Sequence, residues 1–287
     1  MTQPDSLPGF ALALLAVALF STSAVLVRLA APISPYEITF WRMAFATATV
    51  GVGLAISRAG KLPRDRRYIG FGLIAAAHFL LFVTALSFTS IAHALSITYL
   101  APAFTAMAAW WRLGEGLTGR QIAGGVTAIL GVGVLVGFEP RLSGTMLLGD
   151  TLALLSGGCY AAYSLAGRAE RGRTGLLPYA TAVYGVAAVW LLPAFVAGLV
   201  ARPDGAAAYT PARVLALAGA GVLPLGLGHT LYNASLRRIP AAYANLIASQ
   251  EVTGGVILGV VFLGEIPPPN AVAGALMAIG GIILVLV

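Results

Sequence analysis

Charged residues are scarce in this chain. They fill 9% of its 287 positions, and apolar residues fill 59%, whereas a soluble domain carries about a quarter charged residues. That shortfall excludes an ordinary water-soluble globule and makes lipid the chain's main solvent. No polar stretch is long enough for a separate soluble domain. Cysteine is nearly absent: Cys159 stands alone in an apolar run, which excludes a disulfide framework and a multi-cysteine metal site, and redox chemistry with them. There is no HExxH sequence, and Asp150 has no second midspan aspartate to pair with, so an intramembrane metalloprotease or aspartyl protease lacks its parts. Rings of charge and a filter-like loop, which an ion channel needs, are missing too. Nothing points to a metal or an organic cofactor, and no enzyme activity is expected.

Acidic residues number 10 against 17 basic ones, giving a formal charge of +7. The basic residues gather in short loops between apolar runs rather than on one soluble face, so they do not imply nucleic acid as a partner. What is abundant is apolar sequence in long runs, at about 9–30, 36–57, 68–89, 92–112, 119–138, 146–167, 177–200, 212–233, 241–263 and 270–287. Each is long enough to cross a hydrocarbon core of about 30 Å as a helix. Proline and glycine punctuate the gaps, among them Pro32, Pro35, Pro63, Pro203 and the Pro267-Pro268-Pro269 run. The segment before the first run has no basic region, and that run exceeds a signal-peptide core, so it reads as a retained first helix.

Lys and Arg set the expected orientation. Twelve fall in the loops after runs two, four, six and eight, and three (Arg141, Arg202, Arg213) on the other side, leaving aside Arg28 and Arg42 within or at the edge of runs. The positive-inside rule then places both termini in the cytoplasm of a multi-pass bacterial inner-membrane protein, which requires an even number of spans.

A shift of 150 positions brings the two halves into register. Leu113-Gly114-Glu115 falls on Leu263-Gly264-Glu265, Leu86 on Leu236, Ala92 on Ala242, Gly124 on Gly274, Ala128 on Ala278 and Gly131 on Gly281. Earlier in the halves the offset drifts and pairs Pro35-Tyr36 with Pro178-Tyr179. The expected fold is an all-α membrane protein of ten transmembrane helices in two five-helix repeats, 1–142 and 143–287, around a central cavity. Because five is odd, the second copy enters the membrane from the opposite side. Such inverted repeats serve alternating access.

These features resemble the drug/metabolite transporter superfamily, specifically its ten-helix members with two EamA repeats. The resemblance rests on Ser34-Pro35, on Phe40-Trp41-Arg42, on Ala85-Leu86 with the small residues that follow, and on both LGE motifs with their glycine helices. It covers nearly the whole chain, and within the superfamily the chain looks like the YddG-type amino-acid exporters. It implies export of small metabolites, most of all neutral, partly apolar and aromatic amino acids. The second copy lacks a counterpart of Trp41-Arg42, since the drifting offset puts Tyr184 and Gly185 there, so the halves are not interchangeable. A lipid or polyprenyl-carrier flippase of the same superfamily is the alternative, with an intramembrane enzyme behind it.

Polar groups at mid-bilayer depth are expensive and therefore face a cavity or a partner helix. Glu251, beside Gln250, is the clearest case, as a substrate contact or a proton site, against a structural carboxyl bonded to a neighbouring helix. His78 and Tyr99 lie midway along their runs and, with Gln250, would converge on a pocket to which Tyr160 and Tyr163, one turn apart, add aromatic wall. Arg42 reads either as a cation for a substrate carboxylate near the outer mouth or as an arginine that snorkels or pairs with another helix. His93 and His229, near helix ends, are expected within reach of solvent or headgroups, and Tyr36, Tyr68 and Tyr209 in the interfacial belt. Asn233 and Asn245 read as interhelical hydrogen-bonding groups. The LGE glutamates are expected to cap the helices that follow them, with Thr118 as an N-cap. Pro102 and Pro240 are the expected gating positions. Gly133 with Gly137, and Gly255 with Gly259, have the spacing for close helix approach. Membrane lipids surround the chain, and the packing is expected within a monomer.

Overall fold

The computed structural model describes residues 6–101, 104, 118–137, 142–201, 209–239, 244 and 247–286. Pro102, Pro240, Glu115 and Asn245 lie outside the described residues. All regular structure among those described is helical. The helices are α1 (Ser6–Phe20), α2 (Ser23–Leu29), α3 (Pro35–Ser57), α4 (Arg67–Leu86), α5 (Ile91–Thr98), α6 (Gly119–Gly137), α7 (Gly144–Glu170) and α8 (Leu176–Ala201). They are followed by α9 (Pro211–Ala220), a π-helical stretch Gly221–His229, α10 (Thr230–Leu236), α11 (Glu251–Leu263) and α12 (Pro269–Leu286). Among the described residues five helical stretches are long and apolar enough to cross a membrane: Leu7–Leu29, Pro35–Ser57, Arg67–Leu86, Leu176–Ala201 and Pro211–Leu236. The chain is a membrane protein.

Local chemistry sets the helix starts. Ser34 accepts from the Glu37 N–H with Pro35 at the first helical position, and Thr210 accepts from Arg213 with Pro211 in the same place. Ser90 and Ser143 cap α5 and α7 in the same way. Thr118 and Gln121 form a reciprocal capping box, the Gln121 N–H bonding Thr118 Oγ1 and the Thr118 N–H bonding Gln121 Oε1. Glu265 departs from expectation. Its Oε1 accepts from the Ile91 N–H at 2.6 Å, so it caps α5, from the other half of the chain, rather than the helix that follows it.

Two spans are interrupted. The first breaks at Ser21–Thr22, where both hydroxyls bond back to carbonyls, Ser21 to Val17 and Thr22 to Leu19; backbone freed inside a membrane must find such partners. The eighth run holds Pro224 within its π-helical stretch. Proline has no N–H and crowds the carbonyl four residues back, and the wider π turn relieves both.

Packing fixes which helices meet. The principal pairs are α6 with α12, α3 with α8, α4 with α7 and α8, α3 with the π stretch, α5 with α7 and α11, and α1 with the π stretch, α10 and α11. The α6–α12 seam is glycine on glycine. A Cβ on Gly131 would meet the Ala278 N and Gly274 O atoms at 2.5 and 2.7 Å, one on Gly274 would lie 2.5 Å from Gly131 O, and one on Gly281 would run into Ala128 N and Gly124 O. Gly255 and Gly259 pack on Leu95 and Ile91 of α5 as their spacing suggests, but Gly133 faces open space.

Candidate functional site

The helices converge on a small central cavity of about 30 Å³, room for a water or two. Phe20 and Ser23 flank the break in the first span, α3 contributes Arg42, and α4 contributes His78, Phe79 and Phe82. α5 presents Leu95, Thr98 and Tyr99, α7 presents Tyr160, the π stretch presents Pro224 and His229, and α11 presents Glu251. Both halves of the chain therefore build the wall.

Most polar side chains here are tied to named partners. Glu251 begins α11 and its Oε2 accepts from Tyr99 Oη at 2.5 Å. Arg42 donates from Nη2 to Ser23 Oγ at 2.8 Å and from Nε to the Ala220 carbonyl at 3.4 Å, and its guanidinium lies 5.7 Å from the Phe79 ring centre. His78 Nδ1 lies 2.9 Å from Ser156 Oγ, which donates in turn to the His78 carbonyl. The His78 ring stacks on Tyr160 at 5.1 Å. His229 packs against Phe20 at 4.5 Å and Phe79 at 5.0 Å. Tyr163 stands behind Tyr160 and accepts from Asn233 Nδ2 at 3.0 Å, an interhelical bond of the expected kind.

The structure thus brings His78, Tyr99, Tyr160, Glu251 and Arg42 to one cavity, with Tyr163 one layer back. Gln250 is not among them. It sits in the turn before α11, exposed and away from the cavity, because one residue in a helical turn rotates a side chain by about 100°. Arg42 is neither at an outer mouth nor snorkelling, being 2% exposed at the cavity wall. His229 is in the cavity rather than at a solvated helix end. The signal that locates it is Pro224, five residues earlier, which opens the π stretch and turns this ring inward. His93 is fully buried and pairs with Asp150 at 3.1 Å, Asp150 also accepting from Thr89 Oγ1 at 2.6 Å. Gln250→Ala is accordingly expected to leave transport within about twofold of the parent chain, as a surface change does, in a proteoliposome uptake assay.

Polar contacts close both ends above and below the cavity. At one end Glu37 accepts from Ser34 Oγ at 2.7 Å and from Tyr209 Oη at 2.8 Å, and Tyr209 accepts from Trp41 Nε1. Arg28 and Glu265 pair at 3.6 Å at the same end. At the other, Glu170 accepts from Tyr68 Oη at 3.1 Å and pairs with Arg67 at 2.9 Å, while Arg237 donates to the carbonyls of Arg171 and Thr174. Tyr68 and Tyr209 are thus engaged in side-chain contacts, whereas Tyr36 is 43% exposed in keeping with a belt position.

Comparison with known proteins agrees with this architecture. A probable terminal-alkyne amino-acid exporter from Streptantibioticus cattleyicolor is 29% identical over 191 residues, covering 65% of this chain and 61% of that protein. A triose phosphate/phosphate translocator of non-green plastids from Brassica oleracea var. botrytis is 31% identical over 80 residues, covering 26% of this chain and 20% of the translocator. The chain thus spans less than two thirds of the length of these curated relatives. A crystal structure superposes with a TM-score of 0.70 at 19% identity, covering 98% of this chain and 95% of the other, which shows a shared fold. The EamA-like transporter profile matches twice, at residues 7–137 and 147–287. Those two matches together span most of the chain, and with the helical architecture already in view they show that it belongs to the EamA-like transporter family.

Proposed function

We propose that this protein exports small, neutral, partly apolar amino acids, aromatic ones among them, across a bacterial inner membrane by alternating access. The observation that carries the reading is the central cavity, lined from both halves and sealed toward both ends by side-chain contacts. A solute released on the far side must break one seal at a time. In this conformation the cavity is too small for an amino acid, so passage requires the helices to part. The Ser21–Thr22 break and the π stretch are the places in the wall where backbone can yield. The exporter relative from Streptantibioticus cattleyicolor, named for amino acids, supports the substrate class.

Ten spans in two oppositely oriented units, 1–142 and 143–287, account for the packing. When α1–α2, α3, α4, α5 and α6 are matched with α7, α8, the α9–π–α10 span, α11 and α12, each principal contact has its mirror. Thus α4 on α7 answers α1 on the eighth span, α4 on α8 answers α3 on the π stretch, and α5 on α7 answers α1 on α11. The pairs α6–α12, α3–α8 and α5–α11 are their own mirrors. Cytoplasmic termini follow from the loop charges.

Radiolabelled amino-acid uptake into proteoliposomes tests the reading. Saturable uptake blocked by unlabelled amino acids is expected, and its absence from folded protein would replace the reading with lipid translocation. Glu251 is the one carboxyl lining the cavity among the described residues, and so is the site through which a proton gradient acts. With Glu251→Gln, uptake is expected to lose all stimulation by an imposed pH gradient. Stimulation equal to the parent's would remove Glu251 from that role.

A further inference from the structure

Arg42 and Glu251 face the same cavity from opposite halves of the chain, yet among the described residues they form no direct ion pair. Each is only partly satisfied. Arg42 spends Nη2 and Nε on Ser23 and Ala220, while Nη1 is buried with no hydrogen-bond partner. Glu251 accepts from Tyr99 at Oε2, and among the described residues no hydrogen bond is made to its Oε1. A buried charged donor without an acceptor is strongly disfavoured, and here it stands across a cavity from a carboxylate with a free oxygen. The walls between are aromatic: Phe20, Phe79, Phe82 and Tyr160.

We infer that the cavity is a zwitterion site, in which Arg42 Nη1 takes the substrate's carboxylate, Glu251 Oε1 its ammonium group, and the aromatic rings its side chain. This rests on the amino-acid reading above and goes further, since it fixes which groups of the substrate are required. An α-amino acid carries both charges on neighbours of a single carbon and so answers both free atoms at once. A monocarboxylate leaves Glu251 unanswered and brings a second negative charge beside it; an amine leaves Arg42 unanswered. A dianion such as a phosphate ester meets one favourable charge and one repulsive one. Tyr99 holds Glu251, and Ser23 with the Ala220 carbonyl holds Arg42, so both side chains are already held at the cavity before the helices part to admit substrate.

The test is competition against radiolabelled L-phenylalanine uptake in proteoliposomes by three unlabelled solutes: L-phenylalanine, its amide, which lacks the carboxylate, and 3-phenylpropionate, which lacks the ammonium group. Loss of one charged hydrogen-bonding group is expected to weaken competition about ten- to a hundredfold for each analogue. Arg42→Gln is expected to abolish discrimination against the amide while keeping that against 3-phenylpropionate, and Glu251→Gln to do the reverse. Wild-type protein alone decides the main point, whatever the variants' folding. Phenylalanine uptake inhibited equally by all three solutes overturns the zwitterion site and leaves amino-acid transport standing. Absence of any amino-acid uptake by folded protein overturns both.

Discussion

Gly274→Leu is expected to prevent the folded protein from accumulating, with loss of a monodisperse species on size exclusion in detergent. The new Cβ would land 2.5–2.6 Å from the Gly131 carbonyl and the Leu135 N and Cβ atoms. Two of those atoms are backbone in the facing helix and cannot swing aside as a side-chain tip does. Ordinary overpacking costs about 1–3 kcal/mol when neighbours can adjust; here relief requires α6 and α12 to separate, and the penalty should exceed that range. Small residues let transmembrane helices approach until backbones touch, and van der Waals contact drives their association where lipid supplies no hydrophobic contrast. Gly281→Leu should behave alike, because its Cβ meets Ala128 and Gly124 as that of Gly274 meets Gly131 and Leu135. Gly133→Leu is the control. It is exposed with nothing within 4 Å of its Cβ, and thermal stability should stay within about 0.5 kcal/mol of the parent. Equal tolerance of Gly274→Leu and Gly133→Leu would mean the seam does not hold the fold together.

Much of this architecture is legible in the sequence because a membrane solvent leaves few choices. Backbone in lipid must satisfy its own hydrogen bonds, so an apolar run of twenty residues is a helix before any packing is known. The run at 36–57 becomes α3 at 35–57, and that at 177–200 becomes α8 at 176–201. The register of 150 also has a physical reading: Gly131 lies on Gly274 and Gly281 on Gly124, the same contact made twice with the partners exchanged. Gly133 shows the limit of spacing arguments. A small-xxx-small pattern says that one face of a helix is bare and not which face a neighbour covers.

The cavity was legible where depth alone decides. His78, Tyr99 and Glu251 stand out because polar groups at midspan must face something polar, and they line the cavity, with Tyr160 as aromatic wall. Gln250 satisfies the same depth criterion and misses the cavity, since depth carries no azimuth and the turn at 249–250 resets the helical phase just before α11 begins. His229 was hidden for a related reason: an ideal helix counted from Pro211 does not include the extra residue per turn that the π stretch introduces. Thr118 caps its own helix as its position suggests, but a motif need not do so. Glu265 instead reaches across to the Ile91 N–H, a contact between halves that local sequence cannot encode.

The two tyrosine–carboxylate seals should act in opposite directions when broken. Tyr209 enters just before α9 and donates to Glu37 in the first turn of α3; Tyr68 opens α4 and donates to Glu170 at the end of α7. α3 rises for about 34 Å between Pro35 and Ser57, and the chain then turns directly into α4, so these contacts lie at opposite ends of the cavity. Tyr68 is buried and Tyr209 half-buried; losing an acceptor there costs up to about 1–3 kcal/mol in the closed arrangement, whereas an opened end lets water supply the missing partner. Removing an acceptor therefore favours opening at that end by about five- to a hundredfold. The measurement uses Cys159→Ser with Thr98→Cys, which places a single thiol on the cavity wall, and a membrane-impermeant thiol reagent applied to the periplasmic side of cells. Glu37→Ala is expected to speed labelling at least fivefold, and Glu170→Ala to slow it. Loss of Glu170 leaves Arg67, which is 31% exposed, its pair with Asp65 and leaves Tyr68 its bond to Thr174 Oγ1 at 2.8 Å, so that variant's effect is the smaller of the two. Acceleration by both variants would reduce the seals to ordinary packing, and slowing by Glu37→Ala would reverse the membrane orientation assigned from the loop charges.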